Sequence, residues 1–252
     1  MVLERLNQFR RLGQKAFAVL IDPDKIVDSN QLEQLLNQSR QYKVDYFLVG
    51  GSLLTDDCLD DVVSYIKANS ATEVILFPGS NMHIHPQADA ILFLSLISGR
   101  NPDLLIGQHV VAAPILRKTK LEVLPTGYML VGSGMQTTVA YMSNTTPIPN
   151  NKPSIAACTA MAGEMLGLKL MYLDAGSGAP EAINPAVIRM VRKSVDCPVI
   201  VGGGLRSGIA VQRALQAGAD MVVVGNGIEK NPDLLAEVSM EVAKFNATLN
   251  VH

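Results

Sequence analysis

The sequence has 252 residues, 48% of them hydrophobic and 17% charged, which is enough chain and apolar material for one sizeable core. A formal net charge of -2 supplies no basic field of the kind that draws a protein to nucleic acid or anionic lipid, so neither is expected as a partner. Cys58, Cys158 and Cys197 form no C-x-x-C pair and leave an odd thiol, which argues against a disulfide framework or a zinc site and fits a reducing cytoplasm.

The opening stretch, MVLERLNQFRRLGQKAF, has no apolar core of signal-peptide length. No later segment reaches the roughly 18 consecutive apolar residues of a membrane span, so stable membrane insertion is not expected. Mean hydropathy is nevertheless +0.22, which suits buried parallel strands and equally an apolar ligand groove.

In chain order, the first strand is predicted at AFAVLI (16–21), one of eight short apolar runs that stop at glycine, proline or acidic residues. The others are DYFLVG (45–50), EVILF (73–77), ADAILFLSL (88–96), GYMLVG (127–132), LKLMYLD (168–174), PVIVGG (198–203) and DMVVVG (220–225). Stretches patterned like helices separate most of them. SNQLEQLLNQSRQYK opens on a Ser-Asn cap and places Leu32, Leu35 and Leu36 on one face. The same change of period recurs at DDCLDDVVSYIKAN, NPAVIRMVRKS and SGIAVQRALQAGA. Alternating strands and helices imply a parallel sheet. Eight such units in a chain of this length imply closure as one (β/α)8 TIM barrel domain over residues 1–252, with an open doubly wound sheet as the alternative. Residues 133–167 begin rich in Thr, Asn and Pro and read as a long loop on the catalytic face.

Three glycine clusters follow the last three predicted strands: YLDAGSGAP (172–180), GGGLRSG (202–208) and GNGIEK (225–230). Glycine permits positive φ and removes the side chain, so backbone N–H groups can converge on an oxyanion, and a helix N-terminus adds a favourable partial charge. The set describes a phosphate cup, although any one cluster would also serve as a tight turn. At the other side of the same mouth, LIDPDK (20–25) and VGGS (49–52) bring Asp22 and Ser52 forward as a half-site for Mg²⁺, a cation commonly completed by substrate phosphates and water. An ordinary turn with a helix cap is the other reading of Asp22-Pro23-Asp24. Asp174 would stand between cup and metal, where a carboxylate suits a general base, or it would simply bond the loop amides beside it. His83 and His85 lack a third spaced ligand, which favours a non-metal role. No G-x-S-x-G, Walker A or early G-x-G-x-x-G motif is present.

LIDPDK, VGGS, ILFPGS (75–80), YLDAGSGAP, GGGLRSG and VGN (224–226) resemble, in order and spacing, the geranylgeranylglyceryl phosphate synthase family. FLSLISGRNPDLLIG (93–107), PTGYMLV (125–131) and TPIPNNKPSIAA (146–157) resemble that family's larger branch. The resemblance implies a barrel prenyltransferase of archaeal-type ether lipid synthesis, joining sn-glycerol 1-phosphate to geranylgeranyl diphosphate with Mg²⁺. It implies that Asp22 and Ser52 hold the metal. It also implies that Tyr172, Leu173, Asp174, Ala175, Gly176, Ser177, Gly178, Gly203, Gly204, Gly225 and Asn226 bind the glycerol phosphate. It further implies a homo-oligomer, dimer or hexamer. Two positions depart from the family: its usual YLEAGSG motif has Glu where this chain has the shorter Asp174, and Leu20 stands where the smaller branch has a phosphate-binding Lys. A phosphosugar isomerase or lyase on the same barrel, or a non-catalytic phosphate- or lipid-binding barrel, are the rival functions.

Overall fold

A computed structural model of the chain describes residues 1–26, 28–56, 58–132, 137–225, 227–228, 231 and 233–249. Its parallel strands are β1 (Ala16–Ile21), β2 (Tyr46–Gly50), β3 (Glu73–Phe77), β4 (Ala90–Leu96), β5 (Glu122–Gly132), β6 (Leu170–Asp174), β7 (Val199–Gly202) and β8 (Met221–Val224). They run in the order β4-β3-β2-β1-β8-β7-β6-β5, and pairing of β4 with β5 closes the expected TIM barrel.

Alternate residues point to opposite faces of each strand. Ala18, Tyr46, Leu48, Ile75, Leu92, Leu124 and Ile200 fill the interior, while Val19, Phe47, Leu76, Met171 and Val222 pack outward under the helices. Both faces are apolar, which is why the strands read as continuous runs. Tyr46, Leu48, Ile75 and Leu92 are at most 1% exposed. The interior is therefore a packed core, each large aliphatic side chain contributing about 1.5–3 kcal/mol by its burial. Chemistry is left to the ends and flanks.

Helix α1 (Val2–Arg11) stops the N-terminal end. Val2 and Leu6 join the interior cluster, and the N–H groups of Val2 and Leu3 donate to the Glu122 carboxylate at 2.5 and 3.1 Å. A carboxylate there complements the helix dipole. The buried Asp220, which takes Lys15 and Arg192, serves the same end.

Around the barrel stand α2 (Ser29–Gln41), α3 (Leu59–Asn69), α4 (Gln108–Leu116), α5 (Thr138–Ser143), α6 (Pro153–Met165), α7 (Pro185–Ser194), α8 (Gly208–Ala217) and α9 (Leu234–Thr248). The cap of α2 is Asp28, whose side chain accepts from the Gln31 N–H, rather than the Ser-Asn pair after it. The expected long loop at 133–167 instead contains α5, the two-residue strand Ile148–Pro149 beside β5, and α6. Helix α6 buries Ala156, Ala157, Ala160 and Gly163, so it packs closely on α7 without a leucine stripe to announce it. Helix α4 was equally hidden. It contains Pro114 and is apolar on its buried and exposed sides alike, which erases the helical period. Between β3 and β4, residues 78–89 form no helix at all. Among the described residues, no helix is long and apolar enough to cross a membrane.

Candidate active site

Strands β6, β7 and β8 end at Asp174, Gly202 and Val224, so the glycine clusters begin on the C-terminal rim. Gly203 has φ +77°, and a Cβ there would lie 2.6 Å from Asp174 Oδ1 and 2.8 Å from the backbone nitrogens of Ala175 and Gly176. Gly204 has φ +68°, and its Cβ would lie 2.4 Å from the Glu181 carbonyl oxygen. Only glycine fits where the two loops meet so closely. The N–H of Ala175 is taken by the Gly202 carbonyl and that of Gly176 by Asp174. By contrast, no described residue accepts from the N–H of Gly178, Gly203, Gly204 or Gly225. Unpaired amides gathered at strand ends make a seat for an anion.

Arg206 closes this cup from outside, donating to the carbonyls of Gly178 and Ala179 at 2.9 and 2.7 Å. Two carbonyl dipoles are thereby engaged by a guanidinium. The N-terminus of α8, expected to add attraction for an anion, is already occupied: Ser207 accepts from Ala210 and the Glu237 carboxylate from the Gly208 N–H at 2.6 Å. Leu173 points into the sheet–helix layer, so only its backbone can serve the site. Asn226 lies outside the described residues.

Asp174 is buried, and both oxygens are engaged: Tyr128 donates its hydroxyl to Oδ2 at 2.5 Å, and the Gly176 N–H donates to Oδ1 at 2.7 Å. Burial raises its carboxyl above the ordinary range, and the bonds from Tyr128 and Gly176 pull part of that back. Burial, followed by the Asp174 charge, pushes the Tyr128 and Tyr172 phenols well above their usual value, which keeps both protonated. Phe77 stacks on Tyr172 at 5.3 Å and meets Tyr128 edge-on at 5.8 Å, completing an aromatic floor. Neither Tyr128 nor Phe77 was given a role in the sequence, although PTGYMLV and ILFPGS contain them; both point into the interior.

Because β1 pairs with β8, the expected metal half-site adjoins the cup instead of opposing it. Asp174 flanks the cup on the far side in ring order, though its side chain points inward. Asp22 follows β1, and its Oδ2 lies 3.1 Å from Lys25 Nζ. Its Oδ1 is buried and has no hydrogen-bond partner among the described residues. A Cβ on Gly51 would lie 3.4 Å from that oxygen, so the carboxylate rests against the backbone beside Ser52. A buried carboxylate oxygen without a donor is costly, and a hard divalent cation is the partner its chemistry suits. The described residues contain no group of three or more His, Cys, Asp or Glu able to hold a metal by themselves, so a cation here needs further oxygens from a substrate. His83 Nδ1 accepts from the Gly79 N–H and His85 Nδ1 from that of Gln87. Leu20, at the position of the smaller branch's Lys, packs against Gly225.

Residues 9–244 match the PcrB family. The chain belongs to the PcrB family. It is 58% identical over 244 residues to a geranylgeranylglyceryl phosphate synthase of Spirosoma linguale, covering 97% of this chain and 98% of that one. A synthase of the same name from Thermococcus gammatolerans is 42% identical, with 90% of each chain covered. The crystal structure of (S)-3-O-geranylgeranylglyceryl phosphate synthase from Thermoplasma acidophilum, in complex with substrate sn-glycerol-1-phosphate, superposes with a TM-score of 0.90. Identity there is 34%, and 97% and 99% of the two chains are covered.

On the flank of this PcrB-family barrel, where no helix joins β3 to β4, a pocket opens between Ile91 and Phe93 on the strand and Leu104, His109, Ala112 and Leu116 beside it. Its rim includes Gly79 and Ser80. A Cβ on Gly79 would lie 2.2 Å from the Gly51 carbonyl and 2.9 Å from that of Ser52, so the apolar flank adjoins the expected metal site directly.

Proposed function

We propose that this chain is a Mg²⁺-dependent prenyltransferase that joins sn-glycerol 1-phosphate to geranylgeranyl diphosphate, forming an ether bond and releasing diphosphate. One juxtaposition carries the proposal: glycine N–H groups without partners among the described residues, suited to a phosphate, adjoin a buried carboxylate oxygen likewise without one, suited to a cation. The relatives that carry the synthase name along nearly the whole chain support this choice of substrates.

Gly178, Gly203, Gly204 and Gly225 donate their N–H groups to the phosphate of glycerol phosphate, with Tyr172, Ala175, Gly176 and Ser177 forming the wall around it. Asp174 accepts the proton of the attacking glycerol hydroxyl, and its raised proton affinity suits that task. The oxygen then bonds to C1 of the prenyl chain as the bond from C1 to diphosphate breaks. Asp22 and Ser52 would hold Mg²⁺, which would supply positive charge to stabilise diphosphate as a leaving group. The flank pocket takes the beginning of the prenyl tail, so Phe93 and Ala112 touch hydrocarbon while the rim at Gly79 faces the diphosphate.

The protein works as a homo-oligomer, dimer or hexamer. Val110, Val111 and Ile115 on α4 and Met165 on α6 are exposed apolar side chains that association would cover. Three free thiols suit the cytoplasm. The deciding experiment incubates the protein with labelled sn-glycerol 1-phosphate, geranylgeranyl diphosphate and Mg²⁺. A lipid-extractable product that disappears with EDTA is expected, and no prenylated product from donors of any chain length would refute the assignment.

A further inference from the structure

We infer that Asp24 is a positioning residue that clamps the loop after β2 to the turn after β1 and so sets the spacing of Asp22 and Ser52 around a divalent cation. The inference rests on the reading of Asp22 and Ser52 as the metal half-site.

The two carboxylates of Asp22-Pro23-Asp24 are separated by one residue and have opposite surroundings. Asp22 Oδ1 has no hydrogen-bond partner among the described residues. Asp24 Oδ2 accepts from the Thr55 N–H at 2.6 Å and the Thr55 hydroxyl at 2.9 Å. Its Oδ1 accepts from the Asp56 N–H at 3.4 Å and lies 3.9 Å from the Cys58 thiol. A carboxylate offers about four lone-pair sites; three N–H and O–H donors take up most of them, and the Cys58 thiol stands beside the remainder. Asp24 is therefore committed to the protein, which leaves Asp22 as the carboxylate available to a cation.

The clamp is short. Asp22 stands two residues before Asp24, across a proline whose φ is fixed, in a turn closed by the Lys25 N–H to the Asp22 carbonyl at 3.0 Å. Ser52 stands three residues before Thr55. A neutral serine hydroxyl is a weak ligand, so its contribution depends on being held where the carboxylate can share the ion, as supporting shells do in other metal sites. The ionised partner makes the clamp stronger than a neutral one would, because hydrogen bonds to a charged acceptor are roughly twice as strong. Its charge also stands before the N-terminus of α3, whose cap residue Cys58 accepts no capping bond from the helix N–H groups.

The test compares full-length wild type with Asp24→Ala, Asp24→Asn and Thr55→Val. Binding of Mn²⁺ in the presence of inorganic diphosphate is read by water-proton relaxation, half-saturating Mg²⁺ by turnover, and sn-glycerol 1-phosphate affinity by calorimetry. Asp24→Ala is expected to weaken Mn²⁺ about tenfold, equivalent to about 1.4 kcal/mol, and to raise the half-saturating Mg²⁺ in step while glycerol phosphate affinity holds. Asp24→Asn falls between, since its amide oxygen still accepts from Thr55. Thr55→Val shifts the same way by less, because its N–H bond survives. An unchanged Mn²⁺ affinity in Asp24→Ala overturns the clamp alone, and so does equal loss of Mn²⁺ and glycerol phosphate affinity. A wild type that binds no Mn²⁺ with diphosphate overturns the metal reading, and the clamp with it.

Discussion

Replacing Gly203 by alanine probes the cup at its tightest point. At φ +77° an L side chain costs about 1–2 kcal/mol. A Cβ 2.6 Å from Asp174 Oδ1 and 2.8 Å from two backbone nitrogens must also displace one loop, and overpacking of this kind adds about 1–3 kcal/mol. Together these give about 2–5 kcal/mol. Whatever part remains as strain lowers the melting temperature by about 2–4 °C per kcal/mol in a chain of this size. Whatever part is relieved by loop movement spoils the amide geometry, and about 1.4 kcal/mol of lost fit is a tenfold loss of affinity. Gly167→Ala is the matched control: its φ is +95°, but nothing lies within 4 Å of the added Cβ, and the turn is at the opposite end of the barrel. Calorimetric titration with sn-glycerol 1-phosphate and melting curves on both variants should show lower stability in each and weakened binding in Gly203→Ala alone. A Gly203→Ala protein that binds glycerol phosphate as the wild type does would refute the cup.

Burial raises the pKa of Asp174 in the folded protein above the 3.8 of an exposed carboxyl, so the folded state holds this proton more tightly than the unfolded chain. Its stabilising contribution is complete below about pH 3.8 and is lost as pH rises through the folded value. Asp174→Asn should therefore raise the melting temperature at pH 7 but not at pH 3.5, while turnover falls by about 10²–10⁴-fold; an equal shift at both pH values would contradict the buried, charged carboxylate. Asp22→Ala should abolish Mg²⁺-dependent turnover and leave glycerol phosphate affinity intact by calorimetry, and equal loss of both would mean the site has been divided wrongly. Arg206→Met frees two carbonyls at the cup, and at about 1 kcal/mol the KM for glycerol phosphate should rise about fivefold with half-saturating Mg²⁺ unchanged. Partial recovery in Arg206→Lys is expected, and a shift in the metal requirement instead would place Arg206 elsewhere.

The strands were legible because both faces of each are apolar, and four residues of AFAVLI or VIVG carry that signal without help from neighbours. Helices were legible only where a stripe of large side chains contrasts with a polar face, as in α2. Alanine packing in α6 and the two-sided apolarity of α4 remove that contrast, so both disappeared into expected loops or strand flanks. Glycine clusters were readable for another reason, since glycine encodes a backbone requirement at its own position. Partnerships are different. Tyr128 reaches Asp174 across 46 residues because Tyr128 pairs with Tyr172 in the β5–β6 register, and that register is a tertiary fact. The contact of β1 with β8, which sets the proposed metal half-site beside the cup, likewise exists only once the ring has closed.

The missing helix between β3 and β4 separates two tasks that a barrel with an unbroken ring would have to combine at its mouth. If the start of a prenyl tail lies along the flank, as proposed, the solid interior is left untouched and the scaffold gives up none of its core to receive it. On that proposal, substitutions at Ala112 or Leu116 of α4 would reshape the pocket without contacting Asp174 or the glycine amides. Donor size and reaction chemistry would then be set by different residues, so the first could be retuned while the second is left alone.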